Sequence, residues 1–252
     1  MSLFFSLMVL VSVLGAALAQ DQLRVAAWQN VDNISPSKDF EFPESAILQG
    51  RANVALGFTG GGSRSYLASF GYLAGLTELG LMQKIKYIGG ISGGSWATGV
   101  YTYAQNHDGS NPAEEEQFLG PIVQPADITE DGLKQMDPKC ARGLTNSKYT
   151  TIALKHMMKA PSLGEMWCYA TQQVYMNPVG ITEGAHWSYS QATVDDIKSR
   201  NPSLADQTFL LPTSTDRPYP IIGAALLGKS SLHTHIHLGI YIHKYYYIHV
   251  HY

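Results

Sequence analysis

The sequence predicts an α/β domain: a mainly parallel sheet with helices on both faces, incomplete toward the C-terminus. Three observations carry this prediction. Short apolar runs of strand character alternate with stretches of helical periodicity, and the turns between them are glycine-rich. The 252 residues, 45% hydrophobic and 15% charged, also supply enough apolar material for one large core. A formal net charge of −3 without a basic stripe argues against nucleic-acid binding.

At the N-terminus, residues Leu3 to Leu14 are nearly all apolar and lead to the small-residue site Ala17-Leu18-Ala19. That layout predicts a signal peptide over 1–19, cut before Gln20, and hence a secreted or endomembrane-lumen protein. The run is short for the alternative, an uncleaved anchor, although no Lys or Arg precedes it. In an oxidising compartment Cys140 and Cys168 could pair or could remain two buried thiols; neither has metal-ligand spacing. Asn33-Ile34-Ser35 is a glycosylation acceptor with Pro36 behind it. Residues 20–50 read as an arm leading into a domain over 51–228.

Within that domain "ANVALGFT" (52–59) reads as a buried strand stopping at glycines. "SRSYLASFGYLAGLTELG" has apolar residues at Tyr66, Leu67, Phe70, Leu73, Ala74, Leu76 and Leu79, spacings that predict a helix ended by Gly80. "KIKYIGGI" returns to strand character and "SWATGVYTYAQ" to helix. Further on, "LTNSKYTTIALKHMMK" reads as helical, "NPVGITEGAHWSYS" as an irregular covering segment, and "RPYPIIGAALLG" (217–228) as a buried strand introduced by prolines.

Two glycine turns carry the chemistry. Gly90-Ile91-Ser92-Gly93-Gly94 fits G-x-S-x-G between a strand and a helix, the setting in which a sharp bend presents a serine hydroxyl at a helix head. The earlier turn, "GFTGGGSRS", sets Gly60, Gly61, Gly62 and Arg64 between a strand and a helix. Bare amides at a helix start make an anion cradle, and Arg64 could grip a phosphate. The plainer reading is a packing turn with a surface arginine.

The block "GFTGGGSRSYLASFGYLAGLTELGLMQKIKYIGGISGGSW" resembles the catalytic domain of the cytosolic phospholipase A2 and phospholipase B (lysophospholipase) family, relatives of patatin. The resemblance implies a three-layer sandwich and a serine lipid-acyl hydrolase. It implies Ser92 as nucleophile, Gly61 and Gly62 as oxyanion donors, and Arg64 as the phosphate-binding arginine. The implied partner is a phospholipid or lysophospholipid at a membrane or micelle surface; the sequence points to no cofactor or metal and identifies no protein partner.

The same resemblance implies a Ser/Asp dyad whose aspartate lies downstream in an Asp-Gly context. After "RPYPIIGAALLG" there is no acidic residue, the last being Asp216. Asp108-Gly109 and Asp131-Gly132 come too early and read as turns. His107, His156 and His186 read as core or surface histidines rather than the base. Residues 229–252 include His233, His235, His237, His243, His249 and His251 among tyrosines and isoleucines. They read as a low-complexity, non-native tail from a read-through intron or a mis-called gene model, in preference to an H-x-H-x-H metal site. The chain as written is therefore expected to be inactive, an inert or lipid-binding fragment being the alternative. "GAALLGKS" (223–230) also fits the Walker A pattern, but its apolar interior and poor following helix argue against nucleotide binding.

Overall fold

The computed structural model describes residues 44, 48–105, 107, 112–136, 138–144, 149–160, 166–214 and 216–222. The expected leader, Asn33, Asp108-Gly109, the Walker-like stretch and the histidine-rich tail lie outside the described residues.

Strand β1 (Ala55–Phe58) runs through the Gly60–Gly62 turn into helix α1 (Ser63–Glu78), and β2 (Tyr87–Gly90) runs through Ile91-Ser92 into α2 (Gly93–Tyr103). Helices α3 (Pro112–Leu119), α4 (Glu130–Gln135), α5 (Tyr149–Met157) and α6 (Met166–Thr171) follow. The last continues into a wide, five-residue-spaced turn, Gln172–Met176. Then come β3 (His186–Trp187), α7 (Gln191–Arg200), β4 (Phe209–Leu210) and β5 (Tyr219–Ile222).

The three longer strands form one parallel sheet in the order β1-β2-β5, with Phe58 beside Gly90 and Gly90 beside Ile222. Strands β3 and β4 make a separate parallel pair. This is the parallel α/β architecture that the sequence predicts. Among the described residues, however, α1 and α2 share one face of the sheet. Two right-handed crossovers that step in the same direction put both helices on the same side. Ile88, 0% exposed, points toward them, whereas Ile221 on the opposite face is 55% exposed.

Helix α1 buries Tyr66, Phe70 and Leu73, at spacings of four and three, while Leu67 and Leu79 remain exposed. The buried stripe is therefore narrower than the apolar pattern predicts. Its end is a Schellman-type stop: Gly80 has φ 63°, its N–H donates to Thr77 O, and Leu81 N–H donates to Leu76 O, both at 2.9 Å. Side chains from both helices and the sheet merge into one core that includes Phe58, Phe70, Ile88, Val100 and Phe118. Each such side chain, fully buried, contributes about 1.5–3 kcal/mol. The arm ahead of the sheet joins this body: Leu48 is buried and Tyr87 donates to Glu44 Oε1 at 3.2 Å.

Candidate functional site

The β2–α2 connection turns within two residues. Ile91 N–H extends the ladder to Phe58 O at 3.1 Å, Gly94 N–H closes back on Ile91 O at 3.1 Å, and Trp96 N–H reaches Ser92 O at 3.1 Å. The reversal leaves Ser92 at φ 55° and ψ −122°, and among the described residues it is the one non-glycine with positive φ. Holding a serine there costs on the order of 1–3 kcal/mol, which the surrounding packing must sustain.

Ser92 stands at the N-cap of α2, where a serine oxygen ordinarily accepts from a first-turn amide, yet its Oγ makes no such bond. Among the described residues nothing hydrogen-bonds that oxygen. The other serine of the motif is committed: Ser95 Oγ donates to Gly90 O at 2.5 Å. Ser92 is exposed, so its hydroxyl alone of the two is available to a ligand.

The Gly60–Gly62 turn packs directly on this bend. A Cβ on Gly60 would lie 3.2 Å from Ser92 Cβ and 3.8 Å from its Oγ, and one on Gly93 would run into the Gly62 carbonyl. Only glycine allows so close an approach of the two turns. Gly62 has φ 62° and ψ −139° and caps α1, where its carbonyl accepts from Tyr66 N–H at 3.0 Å. Among the described residues the N–H groups of Gly61 and Gly62 meet no protein acceptor. Unused amides at a helix head, beside a hydroxyl, can stabilise a negative charge developing on a neighbouring oxygen. Arg64, in the first turn of α1, is exposed.

Behind the glycine turn lies an aromatic cluster that the sequence did not reveal. The Tyr175 ring sits 4.9 Å from Tyr66 and 4.8 Å from Trp96, and Trp96 is 6.1 Å from the exposed Trp167. Ser63 Oγ and Tyr175 OH hydrogen-bond at 2.5 Å. Ser63 could have been noticed as the residue closing the glycine run. Tyr175 comes from more than a hundred residues away and has no local signal.

The three described histidines, His107, His156 and His186, lie elsewhere. His107 is buried against the Phe118 ring, centroids 4.0 Å apart, and its Nε2 is 3.0 Å from Glu115 Oε2. Arg217 Nη2 reaches the same oxygen at 2.5 Å, and Tyr101 OH donates to Glu115 Oε1 at 3.0 Å. Tyr101 follows Ser92 by nine residues, about 14 Å along α2 at ~1.5 Å per residue, so this cluster braces the far end of the sheet. Burial holds the His107 imidazole below its ordinary pKa. Burial alone would raise the Glu115 carboxyl, but hydrogen bonding from His107 and the charge of Arg217 bring it below the ordinary carboxylate value. His186 is buried in β3 against Phe209, and His156 lies in α5 near Tyr169. Asp131 is exposed in the first turn of α4, and the Gly132 N–H that follows it donates to Thr129 Oγ1 at 3.0 Å. The turn expected at Asp131-Gly132 is thus the first turn of a helix, with Thr129 ahead of it accepting from the Gly132 amide. Cys140 and Cys168 do not form a disulfide; burial pushes the Cys140 thiol up to about 12.

Comparison with known proteins agrees with the resemblance carried by the two turns. The chain is 49% identical over 115 residues to cytosolic phospholipase A2 zeta of Mus musculus, a match covering 45% of this chain and 12% of that protein. Against cytosolic phospholipase A2 beta of Homo sapiens it is 52% identical over 44 residues, 18% of this chain and 6% of the relative. The mouse gamma enzyme matches at 42% over 52 residues, 20% of this chain and 9% of the relative. The chain thus spans a small part of the curated relatives it matches. No protein-family model matches it. Among solved structures, human GIVD cytosolic phospholipase A2 in complex with methyl gamma-linolenyl fluorophosphonate and terbium chloride aligns at TM-score 0.36 and 16% identity, over 72% of this chain and 24% of that one.

These relatives correct one expectation. The apolar start and its Ala17-Leu18-Ala19 site predict a secreted protein, whereas the matched proteins are cytosolic phospholipases A2. The apolar pattern alone carries that expectation, without the Lys or Arg that an n-region ordinarily places ahead of it.

Proposed function

We propose that the chain carries the nucleophile half of a serine-dependent lipid acyl hydrolase of phospholipase or lysophospholipase type. One observation carries the reading: a strained, exposed Ser92 whose unbonded Oγ faces a glycine turn with unused amides. In this reading Ser92 Oγ attacks the ester carbonyl of a phospholipid, and the Gly61 and Gly62 amides hold the oxyanion. The alcohol leaves, and water then releases the fatty acid from the acyl-enzyme. Arg64, in the first turn of α1 two residues beyond Gly62, holds the headgroup phosphate. The names of the relatives support phospholipid as the substrate class.

A second reading, a fragment that binds lipid without turning it over, is favoured by a specific fact: among the described residues no carboxylate or imidazole hydrogen-bonds Ser92 Oγ. Fluorophosphonates separate the two, because fluoride leaves readily and demands little of a base. A long-chain alkyl fluorophosphonate is expected to label Ser92, faster than a short-chain one, in competition with lysophospholipid micelles. Labelling should vanish in Ser92→Ala. Equal labelling by both chain lengths would remove lipid as the substrate, and no labelling of folded protein would leave the inert fragment.

A further inference from the structure

The glycine turn is anchored at only a few points. Ser65 Oγ donates to Thr59 O on one side, and Tyr66 N–H closes on Gly62 O on the other. Between these, Gly61 and Gly62 hold positive φ values of 146° and 62°, and their amides are unused among the described residues. A two-glycine segment of that kind is entropically expensive to keep in one conformation. Something must hold it if its amides are to act without reorganising.

The Ser63–Tyr175 contact meets that need. Ser63 is the residue directly after Gly62, and its Oγ hydrogen-bonds Tyr175 OH at 2.5 Å. Tyr175 is itself immobilised. It is 5% exposed, and its ring is flanked by those of Tyr66 and Trp96, the Tyr66 hydroxyl being itself fixed by donation to Cys140 O at 2.6 Å. Trp96 lies one helical turn beyond Ser92, so the ring that packs on Tyr175 also belongs to the elbow helix. Tyr175 therefore touches both sides of the cradle, one by its hydroxyl and the other by its ring face.

The backbone at Tyr175 is unusual as well. It sits in the wide Gln172–Met176 turn that continues α6, and such turns re-aim one side chain relative to a regular helix. Here the re-aimed side chain is the one that reaches Ser63.

We propose that Tyr175, through Ser63, is a positioning residue that fixes the Gly61–Gly62 amides in register with Ser92. The inference rests on the acyl-hydrolase reading for its consequence, but its geometric content stands apart from it.

The test uses the full chain and two readouts. The first is the rate of Ser92 phosphonylation by a long-chain fluorophosphonate. The second is the backbone N–H order parameter at Gly61 and Gly62, which needs neither activity nor a hydrogen bond at those amides. Tyr175→Phe and Ser63→Ala are each expected to slow phosphonylation about tenfold and to lower both order parameters. The double variant should be no worse than either single one, because both delete the same bond. Ser63→Thr, which keeps a hydroxyl, should restore both readouts. Order parameters in α1 beyond Tyr66 and the melting temperature should change far less than the loop.

The outcomes separate the two claims. If wild-type Ser92 is not phosphonylated but Tyr175→Phe still loosens 60–64, the hydrolase reading fails and the positioning role stands. If Tyr175→Phe leaves the Gly61 and Gly62 order parameters unchanged, the positioning role is overturned whatever Ser92 does. Multiplicative effects of the two single substitutions would overturn it too.

Discussion

At Ser92 a stability experiment can detect function before any substrate is found. A serine at φ 55° is strained, and glycine at that position is not. Ser92→Gly is therefore expected to stabilise the protein by about 1 kcal/mol while abolishing fluorophosphonate labelling. Denaturant titration would check it, and a destabilised Ser92→Gly variant would mean the bend is not strained. The serine and the glycines around it were legible in the sequence, because a bend this tight excludes side chains locally. The motif singles out Ser92 over Ser95 as the proposed nucleophile, and the hydroxyl of Ser95 is spent on Gly90 O. Tyr175 was not legible, because its relation to Ser63 exists only once α1 and the wide turn are packed together.

At the scale of elements, glycines in helices divide by what a methyl would meet. Gly71 in α1 is exposed, and a Cβ there would have nothing within 4 Å, whereas a Cβ on Gly99 in α2 would lie 2.9 Å from the Trp187 ring. Gly71→Ala should stabilise by about 0.5–1 kcal/mol through helix propensity. Gly99→Ala should destabilise by about 1–3 kcal/mol, since Trp187 is clamped against Tyr103 at 4.9 Å and has little room to yield. Thermal melts of the two variants would show opposite shifts; matching shifts would contradict the packing of β3 on α2. Elements β1, α1, β2 and α2 follow from apolar runs, helical spacing and glycine punctuation, and β5 from the run behind its prolines; β1 and β5, expected as buried strands, are buried only in part among the described residues, with Ala55, Gly57 and Ile221 exposed. Helix α7 did not announce itself. Its start is a capping box between Ser190 and Thr193, without the Glu or Gln that usually marks one, and it buries only Val194 and Ile197. Strands β3 and β4 are two residues each, too short for alternation to register.

For the whole molecule, the buried cluster of Tyr101, His107, Glu115 and Arg217 ties α2, α3 and the start of β5 together. Both titrating members have lowered pKa values in the fold, so the folded chain binds fewer protons than the unfolded one. Their contribution is full above the ordinary histidine value of 6.5 and declines as pH falls below it, first through His107 and then, below 4.5, through Glu115. The melting temperature should thus be steady above about pH 7 and fall toward pH 4. Glu115→Gln should cost about 3–5 kcal/mol at neutral pH, because Arg217 would be left buried without its partner, and should remove the part of the decline below pH 4.5 while leaving that of His107. A melting temperature that does not change between pH 8 and 4 would contradict this. The sequence contained each of these residues but no sign that they meet, since 101, 115 and 217 converge only through the sheet.

The hydrolase reading stands or falls on geometry: the Gly61 and Gly62 amides must point at the place where charge would develop beside Ser92. A crystal structure of the long-chain phosphonyl adduct tests it most directly. Phosphorus is expected on Ser92 Oγ, with its unesterified oxygen about 2.7–3.1 Å from the amide nitrogens of Gly61 and Gly62. An adduct on another residue, or an oxygen turned to solvent away from both amides, would contradict it.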